Sequence, residues 1–165
     1  ETELSYDVTD NFTLGFSAGL LKAEFDKFEQ GGSVDEPDVS GKRLPHSAKI
    51  QAALTLDYTQ EFGNDLAWFI HSNVSYTGDM YTTPNNIKTY TTFASNDTID
   101  FGYLPARTSV NARIGIEAEK WNAALWIRNA LDSDDIVSSN RQFFGGINHA
   151  WNAPQTFGVE VTYSF

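Results

Sequence analysis

Apolar and polar side chains alternate in this chain with a period of two, and the alternation persists over segments much longer than a soluble strand needs. From Ile50 the first set is Ile50, Ala52, Leu54, Leu56 and Tyr58, and the interleaved set is Gln51, Ala53, Thr55, Asp57 and Thr59. Leu66, Trp68, Ile70, Ser72, Val74 and Tyr76 alternate with Phe69, His71, Asn73, Ser75, Thr77 and Asp79. Val110, Ala112, Ile114 and Ile116 oppose Asn111, Arg113, Gly115 and Glu117, and Ala123, Leu125 and Ile127 oppose Asn122, Ala124, Trp126 and Arg128. The cleanest case is last: Phe157, Val159, Val161, Tyr163 and Phe165 against Gly158, Glu160, Thr162 and Ser164. Near the start, Phe12, Leu14, Phe16, Ala18 and Leu20 oppose Thr13, Gly15, Ser17 and Gly19, and the doublet Leu20-Leu21 predicts a bulge. Residues 1–7 read as the end of an earlier strand. Successive side chains on a strand point to opposite faces, so each segment has one greasy and one wet face.

Length then narrows the fold. The segments run to roughly 9–15 residues, where soluble strands average about five or six. A tilted strand crossing a bilayer needs about 9–11. Short turns are expected at 7–11, 61–65 and 119–120, and long polar loops at 29–46, 82–108 and 131–154. Short and long connections in strict alternation are the pattern of an outer-membrane barrel, with short periplasmic turns and long extracellular loops. Seven strands fit, and parity returns Phe165 to the side of the short turns. Tyr58, Tyr76, Tyr81, Trp121, Tyr163 and Phe165 fall near strand ends, as an aromatic girdle would. The fold class expected is therefore all-β, an antiparallel transmembrane β-barrel segment of about seven strands.

Composition excludes other classes. The net charge is −11, with no basic stripe to neutralise phosphates, which excludes a nucleic-acid partner. Cysteine is absent, so there is neither a disulfide framework nor a thiolate metal site. Twelve Phe and seven Tyr coexist with a mean hydropathy of −0.36, as in a surface that is half greasy and half wet. Glu1-Thr2-Glu3 does not open a signal peptide, and no run of eighteen apolar residues makes a transmembrane helix. Barrel strands escape that last test, because only every second residue meets lipid.

Several stretches carry a family resemblance. They are Gly41-Lys42-Arg43-Leu44-Pro45-His46 before a long strand; Tyr76-Thr77-Gly78-Asp79-Met80-Tyr81; Val110-Asn111-Ala112-Arg113-Ile114-Gly115; Trp126-Ile127-Arg128-Asn129-Ala130-Leu131-Asp132; and Phe157 to Phe165 after Pro154. In order and spacing, residues 41–165 resemble the late strands of TonB-dependent outer-membrane receptors, whose "G-x-x-L-P", "N-x-R-x-G" and "N-L-x-D" segments they echo. Asn129-Ala130-Leu131 departs from the usual Asn-Leu pair. The resemblance implies a barrel of about 22 strands, an N-terminal plug and an energy-coupling segment. The whole chain, 1–165, then reads as the C-terminal portion of such a barrel, with plug and earlier strands lying elsewhere. It implies active uptake of a scarce extracellular solute (siderophore, vitamin or saccharide), a bacterial outer-membrane location and no enzymatic activity. The expected partners are the remaining strands and plug of the same receptor, outer-membrane lipid and lipopolysaccharide, and an inner-membrane energy-coupling protein reached through the N-terminal part. No cofactor is expected.

Physics also argues for a larger assembly. A closed single-chain bacterial barrel has an even strand number, and an open sheet in lipid leaves edge N–H and C=O groups unsatisfied at several kcal/mol each. Both edge strands are thus expected to pair with other polypeptide.

Candidate residues follow from facing. Asp57, His71, Asn73, Asp79, Arg113, Glu117 and Arg128 are expected to face the lumen, with Arg113 and Arg128 paired to carboxylates across strands. Their bland role is that of solvated or ion-paired wall residues. Tyr90, Phe93, Phe143, Phe144, His149 and Trp151 are candidates for gripping a ligand from outer loops, or for filling a loop core. Phe157, Val159, Val161, Tyr163 and Phe165 resemble the outer-membrane assembly signal. Asp132, Asp134 and Asp135 are weak calcium candidates without the spacing of an EF-hand. No catalytic motif is present: neither G-x-S-x-G nor H-E-x-x-H occurs. His71 and Ser72 point to opposite faces and cannot share a proton. Two rival readings stay open, a small free-standing barrel or surface scaffold, and a secreted β-sandwich binding module whose 50–58 face packs on a second sheet.

Overall fold

The computed structural model describes residues 1–165 apart from 64, 92–97 and 142–145, with the side chains of 90, 91, 98–100 and 141 also outside the description. Among the described residues the strands are β1 (Thr2–Thr9), β2 (Phe12–Leu20), β3 (Ile50–Phe62), β4 (Leu66–Thr77), β5 (Met80–Tyr81), β6 (Thr89–Thr91), β7 (Thr98–Asp100), β8 (Tyr103–Leu104), β9 (Arg107–Ala118), β10 (Trp121–Arg128), β11 (Ile136–Arg141), β12 (Ile147–Trp151) and β13 (Thr156–Tyr163).

The alternating segments become one antiparallel sheet of seven strands in the order β1-β2-β3-β4-β9-β10-β13. The other sheets are two-stranded, β5-β8, β6-β7 and β11-β12, and lie within the long connections. Short connections at 10–11, 63–65 and 119–120 join β1 to β2, β3 to β4 and β9 to β10 at one end of the sheet. Loop A (21–49), loop B (78–106) and loop C (129–155) leave from the other end. β1 and β13 are the two edges and do not pair with each other, so the sheet is not a closed small barrel.

Which side chains are buried settles how the sheet faces its surroundings. In the seven-stranded sheet the buried apolar residues are Ala67, Phe69 and Ala124, and alternation puts all three on the polar face. The greasy face is open: Leu54 is 44% exposed, Ile114 48%, Leu125 58% and Val161 70%. A soluble sheet covers such a face with another layer. Here the molecule is inside-out, which also removes the β-sandwich reading.

Three expectations are corrected. No bulge interrupts Leu20: β2 pairs with β3 in unbroken register from Phe12↔Tyr58 to Leu20↔Ile50, and the irregularity lies in β1 between Asp7 and Thr9. The doublet marks where the chain leaves the sheet. Tyr81 is not in a girdle; it sits in β5, its ring 5.5 Å from that of Tyr103 and under the Arg43 guanidinium. Asp79 is not on the wall. It follows the end of β4, and its carboxylate is 2.8 Å from Arg43 of loop A. The aromatic row that does form is at the tight-turn end, where Tyr58 contacts Phe12 and Trp68, and Tyr163 contacts Phe165.

Candidate functional site

The polar face of the sheet is assembled by register. One line across five strands reads Asp57, His71, Arg113, Trp126, Gly158. The next line toward the tight turns reads Thr59, Phe69, Gly115, Ala124, Glu160. On the loop side stand Thr55, Asn73 and Asn111.

The charged and polar groups on this face mostly bond to one another. Asp57 Oδ1 lies 2.6 Å from His71 Nδ1. Arg113 Nη2 donates to Glu160 Oε1 at 2.8 Å, and its guanidinium lies 5.0 Å from the centre of the Phe69 ring. Phe69 is buried because Gly115 leaves room for it: a Cβ there would stand 2.6 Å from Phe69 Cζ and 2.4 Å from the Ala123 carbonyl oxygen. Gly158 similarly makes room for the Trp126 ring. The side chains of Thr55, Asp57, His71, Asn73, Arg113 and Glu160 border a groove of about 390 Å³. Glu117 stands exposed near the 119–120 turn. Arg128 lacks the expected carboxylate among the described residues, since its guanidinium lies over the Trp126 ring at 5.3 Å instead.

Amide side chains build the loop rim. Asn86 makes a reciprocal pair with the Arg43 backbone: Arg43 N donates to Oδ1 at 2.8 Å, and Nδ2 donates to Arg43 O at 2.9 Å. Asn85, buried, accepts from Ser33 N and donates to Glu36 O. Lys42 Nζ donates to Glu36 Oε1 and to the Asn85 carbonyl. The Lys42 hydrogen bond holds the Glu36 carboxyl below the usual glutamate range, and the Ser40 hydroxyl does the same for Asp38. Loops A and B are thereby clamped together. Ala48, Met80 and Leu104 form a small core that Ile136 of β11 joins.

Loop C is organised by Asn129, buried with a φ of 49°. Its N–H donates to Asn111 Oδ1, its amide donates to the carbonyls of Ser133 and Ala153, and its oxygen accepts from Ser133 N. Asp135 accepts from the Ser133 hydroxyl at 2.8 Å. The calcium candidates Asp132, Asp134 and Asp135 do not converge; among the described residues no group of three or more metal-ligating side chains forms. His149 and Trp151 lie in β12, with His149 opposite Ser139 and Trp151 opposite Ile136. Phe93, Phe143 and Phe144, and the side chain of Tyr90, lie outside the described residues. Phe157, Val159, Val161 and Tyr163 project from the greasy face of edge strand β13, and Phe165 follows it, fully exposed.

The alternation alone was silent on Phe69, Asn85 and Asn86 as structural centres. The signal for the asparagines was their type at left-handed or turn positions: Asn86 has a φ of 54°.

A family model described as "TonB dependent receptor-like, beta-barrel" matches residues 1–130. That covers β1 and β2, which lie before the stretch carrying the sequence resemblance, and stops short of β13. The chain is similar in fold to the ferric yersiniabactin uptake receptor FyuA from Yersinia pestis, at 14% identity and a TM-score of 0.73 over 99% of this chain. It is similarly like the siderophore receptor PiuA from Acinetobacter baumannii, at 14% identity and a TM-score of 0.69 over 98% of this chain. The chain spans 22% and 20% of the lengths of those two structures. No curated protein sequence matches it.

Proposed function

The chain belongs to the TonB-dependent receptor-like β-barrel family, and from that premise we propose that it is the C-terminal wall of an outer-membrane receptor that takes up a scarce extracellular solute. One observation carries this reading: a sheet whose greasy face is exposed and whose buried apolar side chains lie on the polar side. Such a sheet is stable only where hydrocarbon covers the greasy face and protein or water covers the other. Loops A, B and C then face outward, and the tight turns face the periplasm.

Lipid and lipopolysaccharide contact the greasy face. Further strands satisfy the edges at β1 and β13, and a plug fills the lumen against the Asp57–Arg113 face. Energy comes from an inner-membrane coupling protein through an N-terminal segment. Phe157, Val159, Val161, Tyr163 and Phe165 serve as the assembly signal. The solute is a siderophore, the reading that the two siderophore receptors of similar fold favour over a vitamin or saccharide.

The test is fractionation and uptake in cells expressing the receptor of which this chain is the wall. The protein should partition with the outer membrane, and deletion of the receptor should abolish iron-dependent growth on at least one ferric siderophore from a panel. Recovery of the chain in the soluble fraction would overturn the membrane reading. Unchanged growth on every siderophore would overturn the solute class.

A further inference from the structure

We propose that the polar face holds a binding station for a small oxyanion, carboxylate or phosphate, at the foot of the loops, with Arg107 and Arg128 as its cationic residues. This rests on the receptor reading and names the solute chemistry that its wall recognises. Arg107 opens β9 opposite Thr77, and Arg128 closes β10. Both residues border one cavity of about 280 Å³, together with Ser75, Thr77, Ser109 and Asp135.

The two arginines differ from Arg43 and Arg113, each of which has a carboxylate at 2.8 Å. Among the described residues, neither Arg107 nor Arg128 has one, and Arg107 Nη1 is buried without any hydrogen-bond partner. Nη1 itself has no area open to the cavity, so the remaining donors of Arg107 and those of Arg128 are the ones that meet a ligand there. Arginine offers its donors in a planar fork that matches carboxylate and phosphate oxygens, so an oxyanion is the group that pairs these two cations best. Hydroxyls on Ser75, Thr77 and Ser109 supply additional neutral donors along the same wall.

Charge counting supports the sign. Of the nearest wall charges, Arg113 is paired with Glu160, and Asp57 is hydrogen-bonded to His71. Asp135 is the one carboxylate bordering the cavity, and it already accepts from Ser133. Two guanidiniums against one carboxylate leave the station positive, in a chain whose net charge is −11. In a groove with low-dielectric walls such a local excess concentrates anions.

The test uses the receptor in detergent micelles, with citrate and inorganic phosphate as probes in isothermal titration. Wild-type protein should bind at least one of them, more weakly as salt rises. R128Q and R107Q should each weaken binding about tenfold or more, while K22Q, in the exposed Lys22–Glu24 pair, should not. Arg128 is exposed on the wall, so R128Q keeps the fold and the measurement stays decisive if R107Q misfolds. Whichever probe binds more tightly tells carboxylate from phosphate chemistry. No binding of either probe by wild-type protein, or binding that R128Q leaves unchanged, would overturn the station. Outer-membrane fractionation of the wild type reads the receptor assignment separately, so the two can fail independently.

Discussion

Arg113 of β9 reaches past β10 to Glu160 of β13, with its Nη2 2.8 Å from the Glu160 carboxylate. The same guanidinium covers the buried Phe69 ring of β4, so one side chain ties together strands on both sides of its own. The ion pair is half open to solvent, with side-chain exposures of 33% and 51%.

The two contacts of Arg113 should therefore separate by mutation. Partly exposed ion pairs contribute about 0–1 kcal/mol, so E160Q is expected to cost less than about 1 kcal/mol. R113A also uncovers Phe69, and a cation–ring contact at a partly exposed site contributes about 0.5–2 kcal/mol, so its cost should be larger by an amount in that range. Urea unfolding in micelles, followed by tryptophan fluorescence, compares them. Equal costs would mean the ring contact contributes nothing.

Gly115 is a packing requirement. A Cβ there meets the Ala123 carbonyl and Phe69 Cζ at 2.4 and 2.6 Å, and overpacking costs about 1–3 kcal/mol. G115A should fall in that range, and F69A should cost about 3–5 kcal/mol as a buried aromatic deletion. In the F69A background G115A should cost less, because one of its three collisions, the others being with the Ala123 carbonyl and Ala124 Cβ, is gone. Strict additivity in the same unfolding assay would show that the two sites are independent.

Acid should loosen the clamp between loops A and B. The Glu36 carboxyl titrates below its usual range because Lys42 donates to it. A group whose folded pKa is depressed contributes stability above its unfolded pKa, and that contribution is lost as pH falls through the folded value. The clamp is thus fully formed at neutral pH and weakens below the ordinary glutamate range, Asp38 acting in the same direction through Ser40. Hydrogen-exchange protection of the Ser33 and Arg43 amides, which donate to Asn85 and Asn86, should fall on acidification. In E36Q the fall should be smaller; an identical profile would remove Glu36 from the clamp.

The strands were legible because their code is local. Alternation from Ile50 to Tyr58 or from Phe157 to Phe165 fixes both strand and facing, and all seven strands of the main sheet were expected from it. The family's "N-x-R-x-G" spelling was legible, but its reasons were not. Asn111 receives the Asn129 N–H, Arg113 spans to Glu160, and Gly115 admits Phe69; each depends on a partner 18 to 47 positions away in sequence. The loops were least legible. Asn85 and Asn86 act through backbone groups of loop A, and a backbone partner leaves no trace in residue type. Asp79 was misplaced because alternation was carried two residues beyond the end of β4, where Arg43 takes it instead.

The alternation itself makes the sharpest prediction. Leu125 is opposite Ile114 and Val159, in the middle of the greasy face, and is already 58% exposed. If that face met water, L125R would change little, since exposed substitutions usually fall within about ±0.5 kcal/mol. Facing hydrocarbon, arginine at the bilayer midplane costs about 2–4 kcal/mol. Glu117, on the wet face, provides the control, and E117R should stay within about 0.5 kcal/mol of wild type. Both variants are folded into lipid vesicles and unfolded in urea. A large loss for L125R with none for E117R is expected, because only one of these side chains must be carried into lipid; equal, small effects would place the greasy face in water.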